Sequence, residues 1–253
     1  MNSNQLARYS RQISLFGSQG QAKLFSGKVL IIGAGGLGSP AALYLSAAGI
    51  GQLGIVDSDK VDLSNLQRQI LHDTNDLNRD KADSARETLN ALNPDVKIFA
   101  YNERVSSDNI KDIIRERDYN FVLDCTDNFD SKFLINDACV ELRKPFTHAG
   151  ILHYGGQLMT CLPGQSACYR CVFEEPPPDK TFSEREGIFN VVPGIIGSLQ
   201  ASEALKYFLG IGELLTNCLL TYNALKSEFR RVKVSHNKNC TACGERRLNY
   251  AED

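Results

Sequence analysis

An α/β fold with a mixed, mainly parallel sheet and flanking helices is what the sequence predicts, on three observations. Strand-like apolar runs alternate with helical stretches from residue 29 to about residue 150, the pattern of βαβ units, whose strands must run parallel. The first run, 29–32, leads through a glycine-rich turn, Gly33-Ala34-Gly35-Gly36-Leu37-Gly38, into a helix of small residues. Beyond residue 150 the chain reads as strands over 157–162 and 218–234 with tighter connections, which adds an antiparallel extension.

Taken in order, residues 1–28 are expected to form a helical N-terminal arm, and their polar start lacks the apolar segment of a signal peptide. The glycine turn follows, and residues 40–48 supply the first turns of a helix that can press closely on a sheet. Such a turn aims backbone N–H groups and the positive end of a helix at phosphate, which makes the fold Rossmann-like. The strand over 52–56 ends in Asp57, where a carboxylate can take ribose hydroxyls. To this point NAD, FAD and ATP fit equally.

The next stretch favours a triphosphate. Asp59 is followed by Leu63-Ser64-Asn65-Leu66-Gln67-Arg68-Gln69 and by Lys81, which opens a helix over 81–92. Two cations and several amides therefore come beside the phosphate site, and a guanidinium fork plus an ammonium suits the charge of ATP. Further helices are expected over 107–116 and 130–142. Between them, a strand over 121–123 runs into Asp124-Cys125-Thr126-Asp127-Asn128, so a carboxylate sits at a strand's carboxyl end. Asp127 is a candidate Mg²⁺ ligand. Arg68 and Lys81 as solvated charges, with Asp127 as a helix cap, is the competing reading. It requires three separate coincidences on one strand-end face.

The eight cysteines include two Cys-x-x-Cys pairs, Cys168 with Cys171 and Cys240 with Cys243. Together they make a four-thiolate zinc site, closed to substrate and hence structural. Cys125, Cys139, Cys161 and Cys218 sit in apolar stretches as buried thiols. Residues 174–187, with Pro176-Pro177-Pro178, are expected to be an irregular crossover loop before a helix over 195–208. The histidines, His72, His148, His153 and His236, read as packed or solvated. A net charge of −2 gives no basic field for nucleic acid, and no apolar run is long enough to span a bilayer. The expectation is a cytoplasmic protein with one domain over 1–253, its nucleotide-binding part at 29–150.

With these segments in view, the chain resembles the ThiF/MoeB (HesA/MoeB/ThiF) adenylyltransferases, relatives of the ubiquitin-activating enzymes. The resemblance rests on Arg8-Tyr9-Ser10-Arg11-Gln12, the glycine turn, residues 63–69, Asp124 to Asn128, Cys168-Tyr169-Arg170-Cys171, Gly197-Ser198-Leu199-Gln200-Ala201 and Cys240-Thr241-Ala242-Cys243. It implies ATP-dependent activation of the C-terminal carboxylate of a small ubiquitin-like (ThiS/MoaD-like) sulfur carrier ending in Gly-Gly. Carriers of this kind serve thiamin, molybdopterin, cysteine or other sulfur products. The resemblance also implies that Gly36, Asp57, Ser64, Asn65, Leu66, Gln67, Arg68, Lys81, Asp127 and Asn128 contact ATP, and that Arg11 reaches the other subunit's nucleotide in a homodimer. Residues 151–253 would then carry the carrier-binding surface and the zinc.

A C-terminal carboxylate is ionised at neutral pH, so its attack on the α-phosphate needs no general base; positioning and neutralisation carry the step. One position departs from the family. Many members carry a loop cysteine four residues before a glycine; here the glycine is Gly187 and the aligned residue is Ser183. A serine with no base beside it is a poor nucleophile, so the reaction is expected to stop at the acyl-adenylate, open to an external persulfide or sulfide donor. A flavin or nicotinamide oxidoreductase built on the same turn, and a noncatalytic carrier-binding homologue, are the alternatives.

Overall fold

In the computed structural model the described residues are 1–176 and 187–244. Ser183 and most of the expected crossover loop lie outside them.

Two helices, α1 (Ser3–Arg8) and α2 (Ser10–Ser26), precede the sheet, and α2 is broken at Gly17, whose φ of 73° is outside the helical range. The parallel part alternates β1 (Lys28–Ile32), α3 (Gly38–Ala47), β2 (Gln52–Val56), α4 (Lys81–Leu92), β3 (Lys97–Tyr101), α5 (Ile110–Glu116), β4 (Phe121–Asp124), α6 (Phe129–Glu141) and β5 (Phe146–Leu152). Three further strands, β6 (Gly155–Cys161), β7 (Cys218–Asn223) and β8 (Glu228–Lys233), add on antiparallel, with α7 (Val191–Leu209) between β6 and β7. The eight strands form one sheet in the order β3-β2-β1-β4-β5-β6-β7-β8. This is the mixed sheet with an antiparallel extension that the sequence predicts.

Burial on both faces explains why β1 reads as an unbroken apolar run. Val29 and Ile31 face a core shared with α3, α4 and α7. Leu30 and Ile32 face a second core with α5, α6 and the paired cysteines. The strand order reverses between β1 and β4, and in open α/β sheets ligands bind at such a switch point, outside the carboxyl ends of the strands.

Two helix starts differ from expectation. The helix foreseen from residue 107 begins at Ile110, because Ser106 N–H donates to the Asn109 side chain at 2.8 Å and this local turn competes with the helix. The helix foreseen from residue 195 begins at Val191; Pro193 lies in its first turn, where the missing N–H has no intrahelical acceptor anyway.

Candidate active site

The glycine turn joins β1 to α3 at this switch point. Gly33 adopts φ 102°, a left-handed conformation that favours glycine, and a side chain there would also meet the Cys125 carbonyl oxygen at 2.7 Å. A methyl at Gly38 would collide with the Gly33 carbonyl, so only glycine lets α3 start this close to β1. Among the described residues, no acceptor takes the N–H groups of Gly35, Gly36 and Leu37. Three orphaned donors at a helix N-terminus suit phosphate oxygens.

Asp57, at the end of β2, accepts the Ala34 N–H on Oδ2 at 2.7 Å and the Asp59 N–H on Oδ1 at 2.9 Å. Burial raises its carboxyl above the usual range, and the charge of Lys81 opposes that rise. Lys81, the first residue of α4, is only 5% exposed, and its Nζ donates to Asp59 Oδ2 at 2.9 Å. It is not a solvated surface charge. Arg68 is half-buried; its Nη1 donates to the Ser64 carbonyl at 3.2 Å, and its stem lies against Gly36, where a methyl would meet Cγ at 3.6 Å.

Leu63–Asn65 form a 3-10 turn capped by Asp62, which accepts from Ser64 N and Oγ. Leu66 is half-buried and Gln67 exposed, and the Gln67 carbonyl accepts from Asn190 at 3.3 Å, just before α7. Asp127 is exposed beyond the end of β4. The α6 cap is Asn128, whose Oδ1 accepts from Ser131 N at 2.9 Å; Asp127 is left free of capping.

Arg11 is not brought to this site. It is exposed near the start of α2, and its neighbour Gln12 bonds the Ala48 carbonyl at the far end of α3. Ten residues of α3 separate that end from the glycine turn, a rise of about 15 Å.

Sequence reasoning missed a buried network behind the Asp127 loop. Asp124 is fully buried and accepts from Thr126 N at 3.0 Å and Thr126 Oγ1 at 2.6 Å. Its Oδ2 lies 3.5 Å from Lys132 Nζ and 2.5 Å from His148 Nδ1. Burial alone would raise the Asp124 carboxyl, but Lys132 and His148 outweigh it and hold it well below the usual range. Burial, with the Lys132 charge, pushes His148 down to about 4. An aspartate ending an apolar strand, with a lysine eight residues on in a helix, was the available signal.

The four paired cysteines meet across the chain. Sγ of Cys168 lies 3.6 Å from Cys240, and Cys171 lies 3.4 Å from Cys243. All four sulfurs are within 4.8 Å of one another. A tetrahedral zinc with bonds of 2.3 Å sets its sulfurs about 3.8 Å apart, so the cluster fits that ion.

Among known proteins, the ThiF family profile matches residues 9–242. The sulfur carrier protein adenylyltransferase of Thermus thermophilus is 43% identical over 250 residues, covering 95% of this chain and 92% of that protein. The adenylyltransferase and sulfurtransferase MOCS3 of Culex quinquefasciatus is 42% identical over 97% of this chain, which spans only 57% of the mosquito protein. In structure, Escherichia coli MccB crystallised with ATP aligns at a TM-score of 0.83 and 21% identity, over 93% of this chain and 74% of that one, a likeness of fold. Among the described residues, no helix is long and apolar enough to cross a membrane. Profile, identity and coverage agree: the chain belongs to the ThiF family.

Proposed function

We infer that the protein is an adenylyltransferase that moves AMP from ATP to the C-terminal carboxylate of a small ubiquitin-like sulfur carrier ending in Gly-Gly. The observation that carries this reading is the set of N–H groups at Gly35, Gly36 and Leu37 that no described acceptor takes, with the Arg68 stem against Gly36 and Lys81 buried beside Asp59. The name of the bacterial relative supplies the carrier class.

In this reading the carrier's carboxylate oxygen bonds to the α-phosphorus and the bond to pyrophosphate breaks. The backbone donors of the glycine turn hold the phosphates, Asp57 and residues 64–67 hold the nucleoside, and Asn128 supports the Asp127 loop by capping α6. Arg68 and Lys81 offset the charge that grows on the departing pyrophosphate. Asp127, with its exposed carboxylate, would hold Mg²⁺, which neutralises phosphate charge when bound. Cys168, Cys171, Cys240 and Cys243 would hold zinc, whose role is to tie the two chain segments together.

Arg11 acts on the partner subunit's nucleotide in a homodimer, which accounts for its distance from its own glycine turn. Ser183 forms no covalent link to the carrier, so the sulfur of a persulfide or sulfide donor bonds directly to the acyl carbon of the adenylate and AMP leaves. The nicotinamide or flavin alternative leaves a buried lysine at the phosphate site without a purpose. Carrier-dependent exchange of labelled pyrophosphate into ATP tests the assignment: Asp127→Ala and Arg68→Ala should each lower it by about a hundredfold or more. Undiminished exchange in the Asp127 variant would contradict it.

A further inference from the structure

His72 lies beneath the glycine turn, 6% exposed. Its Nε2 is 3.1 Å from the Ala34 carbonyl oxygen and its Nδ1 is 2.7 Å from Ser84 Oγ. A carbonyl can only accept, so Nε2 carries the proton that faces Ala34, while Nδ1 meets the Ser84 hydroxyl, which also bonds the Asp76 carboxylate. Burial lowers the pKa of His72 below its ordinary value, against the opposing pull of the Ala34 carbonyl and the Asp76 charge.

The consequence passes through one peptide plane. In a trans peptide the carbonyl of residue 34 and the N–H of residue 35 point in opposite directions. Holding the Ala34 oxygen down on His72 therefore aims the Gly35 N–H up, away from the protein's own acceptors. The Ala34 N–H is meanwhile fixed by Asp57 at 2.7 Å, so the residue is gripped at both its polar groups. Gln69, one turn before His72, lies against the same loop, its Nε2 3.5 Å from where a Gly35 side chain would begin. Ser84 stands one turn after Lys81 on α4. The chain Ala34–His72–Ser84 thus ties the phosphate-facing turn to the helix that delivers the buried cation.

We propose that His72 is a positioning residue for the triphosphate: its Nε2–H sets the direction of the Gly35 donor, and its bond to Ser84 keeps Lys81 in register with the turn. The proposal rests on the adenylation reading, and the test separates the two. Nitrogen-15 NMR of histidine-labelled wild-type protein, with His72 assigned by its loss in His72→Gln, should show the Nε2–H tautomer. An Nδ1–H tautomer would overturn the proposal whatever the variants bind.

Calorimetry with Mg·ATP then compares two variants. Gln can place an amide donor near the Nε2 position; Leu cannot. His72→Leu should weaken Mg·ATP binding by about tenfold, the scale of one lost hydrogen bond, and His72→Gln should recover most of that loss. Equal weakening in both, or none in the Leu variant, contradicts the positioning role. Wild-type protein that fails to bind Mg·ATP contradicts the adenylation reading instead.

Discussion

Lys81 shows how burial changes the meaning of a charge. A lysine opening a helix can also be read as a solvated end, and against that competing reading it is 5% exposed and paired with Asp59 at 2.9 Å. An ammonium held in so little water acts more strongly on a nearby phosphate than a surface one does. The glycines, Asp57, Arg68 and Lys81 were legible because each is local: a turn, a strand end, a helix start. His72 and the Asp124–Lys132–His148 network were not, because their partners come from segments distant in the chain and only the sheet brings them together. That network carries a pH prediction. His148 is held at about 4 against an ordinary 6.5, so the unfolded chain binds the extra proton between those values. The stability it contributes is full above pH 6.5 and is lost as pH falls toward 4. His72, lowered in the same direction, adds to the slope. Urea denaturation at stepped pH should show stability falling over that window and a shallower fall in His148→Phe; an unchanged slope in the variant would contradict the assignment.

At the scale of elements, the alternating pattern was read correctly because short apolar runs buried on both faces end at turn residues, while the helical stretches between them are longer. The starts of α5 and α7 were misplaced because side-chain turns and a first-turn proline act within one or two residues, below the resolution of periodicity. The junction of β1 with α3 is closely packed. Gly38→Ala should cost about 1–3 kcal/mol by overpacking against the Gly33 carbonyl, seen as a lower denaturation midpoint with unchanged slope. Asn128→Ala removes the cap on α6 and should cost about 1 kcal/mol; it should also weaken activity, since Asp127 is the adjoining residue. A variant as stable as wild type would show that Asn128 does not hold that helix start.

For the whole molecule, the cysteine cluster joins the C-terminal segment to the back of the active-site loop. Tyr169, between Cys168 and Cys171, packs against His148 with ring centroids 3.7 Å apart and planes tilted by 43°, and Arg170 grips Asp137 of α6 through two bonds of 2.7 and 2.8 Å. Elemental analysis of reduced protein should find about one zinc per chain, and chelation should lower the melting temperature; metal-free protein of equal stability would contradict the structural role. Assembly is tested by mixing Arg11→Ala with Lys81→Ala chains. If Arg11 serves the partner's site, mixed dimers regain part of the activity, and no recovery would remove it from that role. The central claim, transfer of AMP to a carrier, is tested most directly by intact mass spectrometry of a Gly-Gly-ending carrier incubated with this protein, ATP and Mg²⁺ without a sulfur donor. The account predicts a gain of one adenylyl group at the carrier's C-terminus, lost when the terminal Gly-Gly is removed. An unmodified carrier with no pyrophosphate released, in a protein that instead binds NAD or FAD, would contradict it.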